Sequence, residues 1–313
     1  MRKDFATRSL QFFHRKARNL YLKLYFALTG KEFKKRYGHL PRNLYSLLLN
    51  NMGVVQLAEK LDVSFGTEKE FLVADIPIFD KNVKFILDKQ VCFDLLWEQF
   101  LTRRDYNFIF DVPVAVIDIG MNVGDTALFF AANPFVKKVY SYELMPQTFD
   151  RAQRNLKINP DIMNKIEGHN YGLGKSDQEL VIYYYDESDG QIGKVSEILG
   201  DELGKGIPTK CKIKNVVHEI QKIEQEHPNV ALYLKIDTEG AEYEIIDALL
   251  RDHSSNNIHY IAIEYHFGVQ NIIETLREHH FEVIERFYGF YRGDNNLAQG
   301  IIQAIRQSTN TST

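Results

Sequence analysis

The stretch Val114–Gly124 reads VAVIDIGMNVG. Four apolar residues, Val114 to Ile117, lead into Asp118. Gly120, Asn122 and Gly124 then close a tight turn, and Asp125–Ala132 follows as a helix-like run. This is strand, glycine turn, helix. Glycine has no Cβ, so such a turn brings backbone N–H groups and a helix N-terminus close to a ligand. In an open α/β sheet that crevice lies outside the carboxyl ends of the strands. Asp118, Gly120, Asn122, Gly124 and, one helical step on, Thr126 are therefore candidate binding residues. A dinucleotide turn would read G-x-G-x-x-G, with the pyrophosphate on the helix N-terminus. Here the spacing is Gly120-x-x-x-Gly124, and Asn122 stands where a middle glycine would.

The 313 residues suffice for one large domain or two modest ones, and 44% hydrophobic with 26% charged content is that of a soluble globular chain. The net charge of −4 hides an asymmetry, because residues 1–40 carry eleven Lys/Arg against two acids. Phe13, Ala17, Leu20, Leu24, Ala27 and Leu28 recur at helical spacing, with Arg15, Arg18 and Lys23 elsewhere and Gly30 as a helix end. The favoured reading of 1–40 is a basic amphipathic helix docked on its own domain. Contact with an anionic membrane surface is the second reading, and nucleic acid a weakly supported third. Cys92 and Cys211 lie in no metal spacing and imply no disulfide framework. No run approaches the ~18 apolar residues of a membrane span, and no signal-peptide pattern occurs. The expected location is cytoplasmic, with peripheral contact at the inner face of the membrane as the variant.

Residues 41–112 read as a mixed α/β subdomain leaning over the site. Helices are expected at 44–49, 54–61 and 92–103, and strands at 70–74 and 83–87. From 113 to 306 strands and helices alternate, which predicts a mostly parallel sheet covered on both faces. Strands are expected through Asp118 and over 138–143, 166–172, 230–237 and 258–265, with an antiparallel pair, 281–287 and 298–305, at one edge. Runs 180–185 and 210–216 form a hairpin around 186–208, a long glycine-bearing loop expected to be a lid. The polar tail 307–313 is expected to be disordered.

Glu143 ends the second of these strands, where an acid can accept both ribose hydroxyls of an adenosine. Asn170 and Gly172 end the third and face an adenine pocket. The stretch Leu234–Glu242, LKIDTEGAE, delivers Lys235, Asp237, Glu239 and Glu242 into a turn with Gly240. Three carboxylates at one strand end are costly unless solvated, paired or used.

Together, D-x-G-x-N-x-G at Asp118–Gly124, Glu143, the K-I-D-x-E-G-A-E block and the run IAIEYH at Ile261–His266 resemble the FkbM methyltransferase family over about residues 67–290. The resemblance implies a Rossmann-like class I methyltransferase fold, with an antiparallel edge strand and an N-terminal mixed extension. It implies S-adenosylmethionine as cofactor and O-methylation, often of a sugar hydroxyl in glycan, glycolipid or natural-product assembly. Asp118, Gly120, Asn122 and Gly124 match the cofactor turn, Glu143 the ribose acid, and Asp237, Glu239, Gly240 and Glu242 the acidic block. Met121 is bulkier than the alanine often found there and is expected to crowd the cofactor's tail. A sulfonium methyl is already activated, so the protein needs only to align the acceptor oxygen and remove its proton. Asp237, Glu239 and His266 are the candidate bases, with Lys235 orienting a carboxylate. His266 is expected to titrate near ~6.5. Tyr183–Tyr185 and the FYGFYR run at Phe287–Arg292 are candidate acceptor-site aromatics. A divalent metal on Asp237, Glu239, Glu264 and His266 is an option not favoured, because no ligand set is complete in sequence. An NAD-linked oxidoreductase and a non-catalytic, membrane-docked module are the alternative functions.

Overall fold

The computed structural model describes residues 30–102, 106, 108–185, 206–251, 257–290 and 298–307. The expected helix over residues 1–29, most of the expected lid (186–205), Tyr291 with Arg292, and the tail 308–313 lie outside them. The chain divides into two compact units, Met1–Val55 and Gln56–Thr313.

In the first unit residues 30–37 (α1) are helical, so Gly30 lies within a helix together with the residues that follow it. Arg42–Asn50 (α2) follows, and Met52–Lys60 is α3. Phe33 stacks at a tilt on Tyr37 and on Tyr45, with ring centroids 4.9 and 6.1 Å apart.

The second unit opens with a small antiparallel sheet, β1 (Ser64–Glu68), β2 (Phe71–Ile78) and β3 (Lys81–Ile86). The expected strands are there, joined by an extra one, β1. The expected helix at 92–103 is two pieces, an α-helix α4 (Gln90–Leu95) and a π-helix, Leu96–Thr102.

The main sheet has seven strands. In chain order they are β4 (Val114–Ile119), β5 (Val136–Tyr142), β6 (Ile166–His169), β10 (Ala231–Ile236), β11 (Ile258–Tyr265), β12 (Phe281–Phe290) and β13 (Ala298–Arg306). Their spatial order is β12-β13-β11-β10-β4-β5-β6. β11-β10-β4-β5-β6 run parallel, and β13 is antiparallel to both of its neighbours. All six residues of β4 are buried, as expected of a central strand covered on both faces. Ala115, Ile117 and Ile119 face one way, into a core completed by α8 (Val216–Glu226), α9 (Glu242–Arg251) and α10 (Gln270–Glu278). On the other face α5 (Asp125–Ala132) is buried along its whole length, and Phe130 meets Tyr233 of β10 with centroids 5.1 Å apart. α6 (Pro146–Lys157) begins at a proline, whose missing N–H costs nothing at a first turn. A short helix α7 (Pro160–Met163) follows it.

One expected strand is split. The run 166–172 leaves the main sheet after His169. Gly172–Gly174 (β7) instead pairs parallel with β9 (Ile207–Asn215), which pairs antiparallel with β8 (Gln178–Tyr184). The expected hairpin is therefore present, in a third sheet at the side of the site. Tyr184 packs inward on Met145 and Cys211, while Tyr183 is exposed. Among the described residues no helix is long and apolar enough to cross a membrane.

Candidate active site

The turn after β4 is held by its neighbours. Gly120 has φ +89°, and a Cβ there would fall 1.8 Å from the carbonyl oxygen of Asp237, so only glycine fits. The Asp237 N–H donates to the Ile119 carbonyl at 2.9 Å, which sets the turn after β10 directly against the turn after β4. The N–H groups of Gly120 and Met121 donate to the Tyr142 carbonyl at 3.0 and 2.9 Å, and that of Gly124 to Met121 at 2.9 Å. The Asn122 N–H donates to the Glu143 carboxylate at 2.9 Å. These N–H groups are thus spent inside the protein, and no cradle of free donors is left at 120–122. Met121 is fully buried and lines neither of the two cavities at this turn.

A cleft opens over the turn, lined by Gly120, Asn122, Glu143, Thr148, Gly172, Asp237 and Glu239 among others. Glu143 lies just past β5. Each of its oxygens accepts one backbone N–H, from Asn122 and from Met145, both at 2.9 Å. An ionised carboxylate has about four acceptor positions, so two stay available to a ligand. Burial pushes this acid up to about 7, against the pull of those two N–H groups. The Thr148 hydroxyl, 2% exposed, has no partner among the described residues.

A second cavity shares Gly120, Asn122 and Asp237 with the first. Its other walls include Gln99 of the π-helix, Tyr106, Asp125, Thr126, Lys235 and Glu264. The Tyr106 hydroxyl lies 3.1 Å from Asp237 and 2.8 Å from Glu264. Gln299 of β13 donates to the other Glu264 oxygen at 3.0 Å. Burial and these two acids raise Tyr106 well above an ordinary phenol.

Behind the cavities lies a polar row on one sheet face. Strand register sets Lys235 beside Asp118 and Asp118 beside Ser141. Asp118, fully buried, accepts from Ser141 at 3.0 Å and Thr126 at 3.1 Å and pairs with Lys235 at 3.2 Å. Burial pushes Asp118 up while Lys235 and the hydroxyls pull it back. Burial alone would discharge Lys235, but Asp118, Asp237 and Asp125 outweigh it and raise its pKa. Lys235 also donates to the Gly120 carbonyl.

The acidic block divides in two. Glu242 is fully buried and accepts from Gly240 N–H at 2.7 Å, Thr238 hydroxyl at 3.1 Å and His266 N–H at 3.1 Å. Its carboxylate also holds His266 Nδ1 at 3.1 Å. On the other side His266 Nε2 lies 3.6 Å from Glu239. Burial disfavours the imidazolium, but the bond to Glu242 and the charge of Glu239 outweigh it and raise His266 to about 10. His266 is therefore charged at neutral pH, not the free base near ~6.5 that sequence suggested. Burial pushes Glu239 well above the usual carboxylate range, and Asp237, Glu264 and Glu242 add to the rise. One donor atom each from Asp237, Glu239 and His266 lie within 4.8 Å of one another, so the trio could hold a divalent ion once the imidazole lost its proton.

Gly120, Asn122, Glu143, Gly172, Asp237 and Glu239 thus meet at one cleft, and Thr126 and Lys235 at the cavity beside it. Asp118, Gly124, Asn170 and His266 stand outside both linings. Asn170 is exposed, and its amide donates to the Glu143 carbonyl at 3.0 Å. Sequence reasoning did not single out Thr148, Gln99 or Tyr106. Thr148 follows Pro146 on a recognisable helix start, a usable signal; Gln99 and Tyr106 carry none.

The chain is similar to several known proteins. Methyltransferase 1 of Beauveria bassiana (strain ARSEF 2860) is 24% identical over 150 residues, 44% of this chain and 59% of that protein. The chain thus spans about three fifths of the length of that curated relative. The crystal structure of methyltransferase FkbM from Methylobacillus flagellatus KT is 14% identical, covers 82% of this chain and 59% of its own, and gives a TM-score of 0.41. M. capricolum TrmK in complex with S-adenosyl-homocysteine is 14% identical over 65% of this chain and 66% of its own, with a TM-score of 0.37. Residues 118–283, just over half of the 313, match the methyltransferase FkbM domain. They run from the buried aspartate of the glycine turn to the first edge strand, and the chain belongs to the FkbM methyltransferase family.

Proposed function

We propose that this protein is an S-adenosylmethionine-dependent O-methyltransferase whose acceptor is a saccharide-type hydroxyl. The observation that carries the cofactor is the turn itself. Its N–H groups are used internally, which suits no pyrophosphate, while Glu143 and Asn122 offer side-chain acceptors at the cleft. An adenosine with a cationic tail needs such acceptors; a dinucleotide needs a phosphate cradle.

When bound, S-adenosylmethionine supplies a methyl group already activated on a positively charged sulfur. Glu143 accepts from the ribose hydroxyls with its two remaining positions. Leu144, Met145, Leu173 and Ile213 give the cleft apolar walls for the adenine. Asp237, shared by both cavities, orients the acceptor hydroxyl in line with the methyl carbon. Glu239 would take the proton that the acceptor hydroxyl gives up on methyl transfer. Its raised pKa makes it a stronger base than an ordinary carboxylate. His266, held by Glu242, keeps Glu239 in place.

Calorimetric titration with S-adenosylmethionine and, separately, NAD⁺ tests the cofactor. The expected result is binding of S-adenosylmethionine alone, weakened about tenfold or more by Glu143→Ala. Binding of NAD⁺ instead overturns the reading. Transfer to a panel of free and nucleotide-linked sugars, with the new methyl located by NMR, tests the acceptor. Methyl found on nitrogen, or transfer to amines alone, would sink the O-methyl assignment.

A further inference from the structure

We propose that the second cavity receives the amino-acid end of the cofactor and that Gln99 is the residue that reads its carboxylate. This rests on the S-adenosylmethionine reading above. Gln99 is 4% exposed, lines the cavity, and its amide nitrogen has no partner among the described residues. A buried donor without an acceptor is costly, so native proteins seldom keep one without a use. Another wall of the same cavity holds the complementary orphan, the buried Oδ1 of Asn122, an acceptor without a donor. A single ligand that presents both an anionic acceptor and a cationic donor satisfies the two at once, and an α-amino acid is such a ligand.

The charge of the cavity sharpens this. Among the described residues, Glu98, Asp125, Asp237 and Glu264 line it against one cation, Lys235. The Lys235 ammonium is already turned to Asp118 and the Gly120 carbonyl. Such walls favour an ammonium. For a carboxylate they leave a neutral N–H donor, and the Gln99 amide is one. The cavity shares Gly120, Asn122 and Asp237 with the adenosine cleft, so the two lie against each other across these residues. Gln99 also sits mid-way along the π-helix Leu96–Thr102, and π turns recur at functional sites. It lies ahead of residues 118–283, so the family match assigns it nothing.

The test compares two nucleosides that differ only at that end. S-adenosylhomocysteine carries the amino acid; 5′-methylthioadenosine does not. Both are titrated calorimetrically into wild type, Gln99→Leu and Gln99→Glu. Gln99→Leu is expected to weaken S-adenosylhomocysteine about tenfold or more and to leave methylthioadenosine within about twofold. Gln99→Glu, of the same size but with an acid for the donor, is expected to lose at least as much on the first ligand and nothing on the second. Melting curves of the ligand-free proteins establish that each variant is folded, and Gln99→Glu covers the case in which Gln99→Leu is not. Equal loss on both ligands makes Gln99 a merely structural residue and overturns the proposal, as does no loss on S-adenosylhomocysteine. Wild type that binds neither nucleoside overturns the cofactor reading itself. That outcome differs from a failure of Gln99 alone, which would leave the wild-type preference for S-adenosylhomocysteine intact.

Discussion

Glu143 is asked to be buried and to be charged. The two backbone donors and the ligand hydroxyls want a carboxylate, while burial pushes the group up to about 7. A raised folded-state pKa means that the folded protein holds this proton more tightly than the unfolded chain. The stability it contributes is therefore fully present below the unfolded value of about 4.5 and is lost as pH rises through about 7. Glutamine at this position has no proton to lose. Relative to wild type, Glu143→Gln should gain stability as pH rises through this window, by about 3.4 kcal/mol at most. Urea unfolding of both proteins at several pH values checks this; parallel curves would show that Glu143 is ionised without penalty. The same substitution should weaken S-adenosylmethionine throughout, because the amide offers fewer acceptor positions. Function here is bought with stability, as is common where a site needs a group its surroundings do not favour.

At the scale of elements the central fact is a row of side chains across three strands. Lys235 on β10, Asp118 on β4 and Ser141 on β5 are register partners on one face, and Lys235 and Asp118 are each about 1% exposed or less. Removing one member leaves the other charge buried alone. Lys235→Met is expected to cost ~3–5 kcal/mol of unfolding free energy, and Asp118→Asn added to it to restore most of that loss. Additive losses in the double variant, measured by denaturant unfolding, would show that the two residues act separately. The elements that carry this row were legible in sequence. β4 and β10 are apolar runs broken only by Asp118 and Lys235, because both sheet faces are covered, and α5 follows directly from the glycine turn. Other elements left little trace. β1 (Ser64–Glu68) has no buried residue to give it an alternating pattern. The split between β6 and β7 depends on β9, some forty residues later, taking Gly172–Gly174 as its partner. A π-helix differs from an α-helix by one residue per hydrogen-bonded ring, below what apolar spacing resolves. The acidic block was recognisable, but not that Glu242 turns inward onto four donors and thereby keeps His266 charged. Such assignments follow from where side chains point, which strand-end spacing does not fix.

At the scale of the Gln56–Thr313 unit, the small sheet and the main sheet are tied through two asparagines of α6 and its end. Asn155 accepts from the Ile86 N–H of β3 at 2.8 Å and donates to the Val123 carbonyl, inside the cofactor turn, at 2.9 Å. Asn159 accepts from the Lys84 N–H at 2.8 Å and donates to the Lys84 carbonyl at 2.7 Å, with no bond to the turn. The π-helix with Gln99 follows β3 by ten residues, so whatever fixes β3 also bears on the second cavity. The two asparagines should therefore be separable. Asn155→Ala leaves two buried backbone groups without partners, at a cost of roughly 2–5 kcal/mol. It should speed amide exchange at Ile86 and also weaken nucleoside binding, because the turn loses its hold at Val123. Asn159→Ala should speed exchange at Lys84 and leave binding close to wild type. Hydrogen exchange followed residue by residue, with S-adenosylhomocysteine titrations on the same samples, distinguishes the two. If Asn155→Ala binds as wild type does while Ile86 exchanges faster, the small sheet and the cofactor turn are not coupled through this side chain. If the two variants weaken binding equally, the coupling runs through the sheet as a whole and not through the bond to Val123.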